Sequence, residues 1–572
     1  MTYEWRFKPP VEEERIVALA EQINVQPFIA QLLIQRGIDD FEKAKKFFRP
    51  ALSDLHDPFL MKDMREAVDR LTSAIFNGEK IMIYGDYDVD GTTSVAMMYS
   101  FLKNRGQDVE FYIPDRYKEG YGLSELGVRT ASDSGCKLMV ALDCGITAID
   151  KVELATELGL DLIICDHHKP GKNIPNATAV LDPLRVDCEY PYKYLSGCGV
   201  GFKLLQALTI DQGLDEDVLW SYLDLLCISI GADIVAMTGE NRVLAHFGLE
   251  KINNDPRPGI TSLFNHAGFN KSTVTISDVV FTLAPRINAA GRVQSARSAV
   301  EVMIADSIEE GNAFAKVVEQ NNLDRRELDK EITTQALDQI ENNEWHKDAW
   351  STVVYGEDWH KGVIGIVASR LMDNYYRPTI VLTKSGDTVT GSARSIEGLN
   401  IYQCLSECTE CMIQFGGHTM AAGMTMKEDQ VEPFKLKFDE VVRAKLEQKQ
   451  LSPVVDIDRE IGLNEINERG YRILRQFAPF GPGNMKPVFM TKDLVNAKWS
   501  RAVGDEDAHL KLHVHQIDSK TPEFNGIGFR MGNWAKYVLE GKPFDAVYTL
   551  EENEWKGKVS LQLNVKDLHS SD

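Results

Sequence analysis

Lys80-Ile81-Met82-Ile83-Tyr84-Gly85-Asp86-Tyr87-Asp88-Val89-Asp90-Gly91 opens as an unbroken apolar run and closes on three aspartates at alternate positions. An uninterrupted apolar run bounded by glycine reads as a strand buried on both faces. The acids then fall at its carboxyl end. Further apolar runs follow at 109–113, 138–142, 162–165 and 179–181, and helix-compatible stretches at 92–103 and 147–158 lie between some of them. Continuous strands alternating with helices predict an α/β fold with a parallel sheet covered on both sides. Two more of these strands run into chemistry-bearing residues: 138–142 into Asp143-Cys144-Gly145, and 162–165 into Asp166-His167-His168. Open parallel sheets bind ligands beyond the carboxyl ends of their strands, so these groups are expected to converge.

Carboxylates are hard oxygen donors and imidazole is borderline. The mixture suits Mn²⁺ or Mg²⁺ and suits a sulfur-rich site poorly. There are more acids than one ion needs. Two ions about 3.5–4 Å apart, sharing a carboxylate, form a standard hydrolytic arrangement for phosphate esters. Any one of these aspartates could instead be a helix N-cap or loop residue. Three aligned strand ends point to a site.

The chain has 572 residues, 63 basic against 86 acidic, for a net charge of −23. Hydrophobic residues are 43 % and charged residues 26 %, which excludes a disordered chain, a collagen-like fibre and a small disulfide scaffold. At about 150 residues per domain, three to four domains are expected. The acidic balance argues against a protein that coats polyanions, but an enzyme holding cations can be basic in its substrate channel alone. Nine cysteines without an export signal suggest reduced thiols in a cytoplasm. No apolar run reaches the roughly 20 residues of a membrane span.

Residues 1–50 read as helical and end at Pro50, followed by the first α/β unit over 51–305, with longer helices at 200–208 and 217–230. Residues 308–340 read as one long, polar, thinly apolar helix, suited to linking domains over 306–347. A second α/β unit spans 348–450, with strands at 351–355, 378–382 and 389–392 and a helix at 364–372. After Pro453, alternating segments at 510–515, 545–548 and 559–565 predict a small β-barrel or sandwich over 451–572.

Asp86-Tyr-Asp88-Val-Asp90-Gly91 and Asp166-His167-His168 resemble motifs of the DHH phosphoesterase superfamily. Pro285-Arg-Ile-Asn-Ala-Ala-Gly-Arg292 and Trp359-His360-Lys-Gly-Val-Ile-Gly-Ile-Val-Ala-Ser-Arg370 resemble its RecJ branch. Gly391-Ser392-Ala-Arg394-Ser395 and Gly416-Gly417-His418-Thr-Met-Ala-Ala-Gly423 resemble the accompanying DHHA1 domain, and Ala478-Pro-Phe-Gly-Pro-Gly483 resembles the approach to an oligonucleotide-binding (OB) barrel. The resemblance covers nearly the whole chain. It implies a 5′→3′ exonuclease that degrades single-stranded DNA to 5′-mononucleotides with two Mn²⁺ or Mg²⁺ ions, in recombination and repair. It further implies metal ligands at Asp86, Asp88, Asp90, Asp143, His167 and Asp233, with Asp143 bridging, and His168 on the scissile phosphate. Many superfamily members have a histidine where this chain has Tyr84, which leaves the role of Asp86 open. Ser392 and Arg394 would bind the 5′-phosphate side of the strand. His418 would contact substrate or serve as a structural loop histidine. Arg286 and Asn288 would line the DNA channel or brace two domains. Arg370 would pair with an acid or contact substrate beside His360. A helicase and single-strand-binding protein are the implied partners, with the chain a monomer off the membrane.

Other signals weigh less. Cys404, Cys408 and Cys411 have the spacing of a radical-SAM cluster motif, but also form one stripe of a packing helix. Gly197-Cys-Gly-Val-Gly201 lacks the full dinucleotide pattern; the stretch Ser196–Lys203 resembles a RecJ loop motif, which implies a backbone role near the active site. His509, His513 and His515 share a strand face with Lys511, expected to face solvent or DNA. Two other functions compete: a DHH phosphodiesterase for short oligonucleotides or cyclic dinucleotides, and a catalytically silent DNA-binding scaffold.

Overall fold

The computed structural model describes residues 3–517, 522–555 and 557–571. The first sheet is wholly parallel, in the order Val109–Tyr112, Ile81–Gly85, Leu138–Leu142, Asp161–Cys165, Ala179–Leu181. Its continuous apolar strands feed two separate cores, because successive side chains point to opposite faces. Ile81, Ile83, Leu138, Val140 and Ile163 pack with Val95, Met97 and Leu204 on one side. Met82, Tyr84, Met139, Ala141, Leu162 and Ile164 pack with Val128 and Val152 on the other. The expected helix over 217–230 is broken into Asp217–Trp220 and Leu223–Ala232.

One helix, Ile308–Glu341, leaves this unit. Its sparse apolar stripe is shared between two domains: Ala315 and Val318 enter the first core, while Ile332, Ala336 and Ile340 cover one face of a second sheet with Val354, Val363, Val367 and Val381. That sheet is mixed, in the order Gln414–Gly417, Ala421–Met426, Thr388–Arg394, Thr379–Ser385, Thr352–Gly356. Ile380, Leu382, Phe434 and Phe438 form the core on its other face.

The C-terminal strands close a ring. Phe489–Asn496 pairs with Phe544–Trp555, then Lys558–Ser570, Phe524–Gly528 and His509–Gln516 follow, and the last pairs back with the first. Five strands closed in this way form an OB-type barrel.

The start of the chain is not purely helical. Glu4–Phe7 is a strand pairing in parallel with Val454–Ile457. Four residues are too few to show an alternation, and the partner lies about 450 positions away. The helices that follow pack on the barrel: Ile16, Leu19, Phe28 and Leu32 share a core with Phe477, Phe489 and Leu510. Arg242 fastens this assembly to the first domain. Its guanidinium donates to the carbonyls of Phe47, Gln476, Phe477 and Pro479 at 3.0, 3.2, 2.7 and 3.3 Å. Among the described residues, no single helix is long and apolar enough to cross a membrane.

Candidate metal centre

The acids sit where the strands end. Asp86 follows Ile81–Gly85 directly and is fully buried. Asp88 caps helix Val89–Lys103, accepting from Gly91 N–H at 3.1 Å, and Asp90 lies in the first turn. A Cβ on Gly91 would lie 2.3 Å from the Asp86 carbonyl oxygen, so this turn closes only over glycine. Asp143 follows Leu138–Leu142 in the left-handed region at φ 60, with its N–H donating to Cys165 O at 2.8 Å. His167 lies two residues beyond Asp161–Cys165. Asp233 ends helix Leu223–Ala232, and Ile234 after it holds φ 59, a strained conformation for a β-branched residue.

These groups meet. His167 Nε2 lies 3.2 Å from Asp143 Oδ1, 3.6 Å from Asp233 Oδ2 and 3.7 Å from Asp90 Oδ2. Three sets bring their ligand atoms within 4.8 Å of one another: Asp86, Asp88 and Asp143; Asp90, His167 and Asp233; Asp143, His167 and His168. Both oxygens of Asp86, Oδ1 of Asp143 and Nε2 of His167 are buried without a hydrogen-bond partner. Burial, then the charge of neighbouring aspartates, pushes Asp86, Asp88 and Asp143 above the usual carboxylate range and Asp233 up to about 8. A buried cluster of carboxylates with unpartnered oxygens is short of positive charge. An oxygen-rich donor set with one imidazole fits divalent Mn²⁺ or Mg²⁺.

His168 lies beside this group, within reach of Asp143 and His167, and is oriented by Asp166. Its Nδ1 pairs with Asp166 Oδ1 at 2.7 Å, and its Nε2 meets Tyr121 Oη at 2.9 Å. Burial opposes its charge. The hydrogen bond and charge of Asp166, with Asp233 and Asp90 behind, nevertheless lift it to about 9. Asp166, His168 and Tyr121 line a cavity of about 690 Å³, and His418 reaches the same cavity from the turn between Gln414–Gly417 and Ala421–Met426.

A second cluster is cationic. Arg394 donates to the hydroxyls of Ser369 and Ser392 at 3.2 and 3.1 Å and to Ala393 O at 2.8 Å. Burial, then the charge of Arg116, lowers its pKa. Arg292 is held down to about 10 by burial and by Arg116 and Arg394. Arg116 itself lies over the ring of Tyr87, between Asp86 and Asp88, at 4.9 Å. Guanidiniums that repel one another beside an acidic cluster suit a phosphate. Arg116 and Arg292 were not singled out in the sequence. Arg116 lies four residues beyond strand Val109–Tyr112, so the strand-end rule could have found it. Tyr121, between two positive-φ glycines, carried no such signal.

Other candidates have different places. Arg286 donates to Glu319 on the long helix and to Thr282 O, so it braces two elements, one of the two roles the sequence left open. Asn288, two residues further on, is half-buried. Arg370 pairs with buried Asp329 of the long helix at 2.7 Å. His360 accepts from Gly362 N–H at 3.1 Å within its own loop. Cys404, Cys408 and Cys411 are buried in an apolar core and contribute to none of the described metal-compatible groups. Their helix ends at Ser406, so the stripe continues through a 3₁₀ turn. His513 stacks on Trp499, with Lys511 Nζ 5.6 Å from the same ring.

Comparison with known proteins accords with this geometry. The DHH family N-terminal domain matches residues 80–230, the DHHA1 domain 349–444 and the RecJ OB domain 457–567. The single-stranded-DNA-specific exonuclease RecJ of Bacillus subtilis is 37 % identical over 565 residues, covering 98 % of this chain and 70 % of that protein. The Escherichia coli protein of the same name is 32 % identical, covering 95 % and 96 %. The crystal structure of RecJ in complex with Mn²⁺ from Thermus thermophilus aligns with a TM-score of 0.85 at 26 % identity, over 100 % of this chain and 80 % of that one. Its complex with Mg²⁺ aligns at 0.80 and 25 %, over 100 % and 79 %. The chain belongs to the RecJ family, with a DHH domain, a DHHA1 domain and a RecJ OB domain.

Proposed function

We propose that this chain is a metal-dependent exonuclease that degrades single-stranded DNA from its 5′ end to 5′-mononucleotides. The observation that carries the reading is Asp143: its buried, unpartnered Oδ1 belongs to a site that the ends of three parallel strands complete. Asp86, Asp88, Asp90, Asp143, His167 and Asp233 would hold two Mn²⁺ or Mg²⁺ ions. Bound there, the ions lower the pKa of a water and offset charge on the phosphoryl oxygens. The relatives' names and the metals in the Thermus structures support this assignment.

The chain's own groups supply the rest. His168, its Nδ1 fixed by Asp166, would donate from Nε2 to an oxygen of the scissile phosphate in place of its contact with Tyr121 Oη. Ser392 and Arg394, with Arg116 and Arg292, hold the terminal phosphate, so the strand is measured from its 5′ end. Trp499 and Lys511 give the barrel a stacking and charged face for the incoming strand. The metal-bearing domain (51–305) and the domain carrying Arg394 (348–450) would clamp one strand, with the barrel (451–572) feeding them. A role in recombination and repair, a supplying helicase, a single-strand-binding partner, a cytoplasmic location and a monomeric state belong to the same proposal.

The test is digestion of 5′- and 3′-labelled single strands, matched duplex and RNA, with and without Mn²⁺. Metal-dependent release of mononucleotides from the 5′ end of single-stranded DNA is expected. Binding without cleavage would favour a scaffold, and cleavage of only very short RNA a small phosphodiesterase.

A further inference from the structure

The glycine-rich run Ser196-Gly-Cys-Gly-Val-Gly201 cradles a carboxylate of the protein itself. Helix Gly197–Asp211 aims its N-terminus at Asp90: Gly197 N–H donates to Oδ2 at 2.6 Å and Cys198 N–H to Oδ1 at 2.8 Å. A third donor comes from another helix, where Ser229 Oγ lies 2.7 Å from Asp90 Oδ1. Ser229 has one hydroxyl proton, and the carboxylate oxygen can only accept it. The contact of Ser229 with Ser196 Oγ at 2.6 Å must therefore be donated by Ser196. Ser196 Oγ in turn accepts from Gly199 N–H at 3.1 Å. A directed chain thus runs from Gly199 through Ser196 and Ser229 to Asp90, and both serines are fully buried.

This fixes what Asp90 can offer. Oδ1 has two protein donors, which occupy both of its lone pairs. Oδ2 has one, and it is the oxygen that faces His167 Nε2 at 3.7 Å. We infer that Ser229 is a positioning residue that, with the amides of Gly197 and Cys198, confines Asp90 to one-oxygen coordination through Oδ2 and thereby sets the affinity of the metal site shared with His167 and Asp233. The inference rests on the metal-site reading above. Groups that orient a metal ligand in this way typically contribute about 10–100-fold in affinity.

The test titrates Mn²⁺ alone into the full chain, followed calorimetrically and by the Mn²⁺ electron-paramagnetic-resonance signal. Ser229→Ala deletes the donor, and Ser229→Cys keeps the volume but donates weakly. Thr209→Val removes a buried hydroxyl from the same glycine-led helix that bonds only its own helix backbone at Leu205 O. Both Ser229 variants are expected to bind Mn²⁺ about 10–100-fold more weakly with an altered signal, while Thr209→Val binds as wild type. Wild-type affinity in both Ser229 variants, or an equal loss in Thr209→Val, would overturn the inference alone, provided that wild type binds Mn²⁺ and cleaves DNA. A wild-type chain that binds no Mn²⁺ would overturn the metal-site reading and this inference with it.

Discussion

Replacing Gly197 by alanine puts a methyl group against Asp143. The added Cβ would lie 2.5 Å from Asp143 Oδ1, 2.6 Å from its Cβ and 2.8 Å from its Cα, where ordinary contact begins at 3.4 Å. Relief needs a movement of about 0.8 Å, from 2.6 to 3.4 Å. Asp143 has little room to give. It is buried, its backbone is already left-handed, and its N–H is bonded to Cys165 O. The helix cannot retreat without withdrawing the Gly197 and Cys198 amides from Asp90. Either response displaces a candidate ligand by nearly 1 Å, an error worth about 10²-fold in rate, or roughly 2.7 kcal/mol of barrier. Overpacking should also cost about 1–3 kcal/mol of stability. The assay is kcat/KM on a 5′-labelled single strand at saturating Mn²⁺, at a temperature where urea titration shows the variant folded. Gly201→Ala is the control, because its nearest atoms are methyl groups of Leu142 and Met97 at 3.0 and 3.5 Å, which can yield. It should stay within about threefold of wild type, on the expectation that small adjustments cost little. If Gly197→Ala keeps wild-type kcat/KM while folded, the reasoning that places Asp143 and this helix in one rigid site is refuted.

Arg394→Ala should raise KM at least tenfold, about 1.4 kcal/mol, for 5′-phosphorylated strands and erase their preference over 5′-hydroxyl strands; an equal loss on both substrates would contradict the assignment. Arg242→Met removes the donor to the carbonyls of Phe47 and Gln476, while those of Phe477 and Pro479 keep Asn484 Nδ2, so urea unfolding should show a loss of about 2 kcal/mol or more, and an unchanged midpoint would show that the fastening is idle. Buried His346 is lowered from its usual 6.5 to about 4, chiefly by burial and then by Lys435 and Arg377. The unfolded chain therefore takes up a proton that the folded chain refuses, and stability falls as pH drops from 6.5 towards 4, by about 3 kcal/mol. His346→Gln should flatten that acid limb, and an identical pH profile would refute the assignment.

The first domain was legible because four of its five strands are nearly continuous apolar runs, a pattern that fits burial on both faces. Strands Leu138–Leu142 and Ala179–Leu181 have the expected bounds, and the groups after Ile81–Gly85, Leu138–Leu142 and Asp161–Cys165 converge as the strand-end rule requires. The long helix was legible as a linker, and the structure adds that its two ends serve different cores. Other features depend on distant parts of the chain. Glu4–Phe7 becomes a strand only through its partner at Val454–Ile457. Arg116, Arg292 and Arg394 come from three segments, and Arg394 joins the other two only once the domains meet. Ser229 lies inside the apolar run Leu225-Leu-Cys-Ile-Ser-Ile230 and reads as core, because a hydroxyl's partner 139 positions away leaves no mark on local pattern. Arg286 shows the converse: its motif left a channel contact and a brace equally open, and the residue that distinguishes them, Glu319, lies 33 positions away on the long helix.

The most direct test of the central claim is anomalous diffraction at the manganese edge from crystals of the full chain grown with Mn²⁺. The account predicts two peaks about 3.5–4 Å apart, with Asp143 between them, Asp86 and Asp88 on one side, and Asp90, His167 and Asp233 on the other. No peak at these residues, or a single ion that leaves Asp86 and Asp88 without metal, would contradict it.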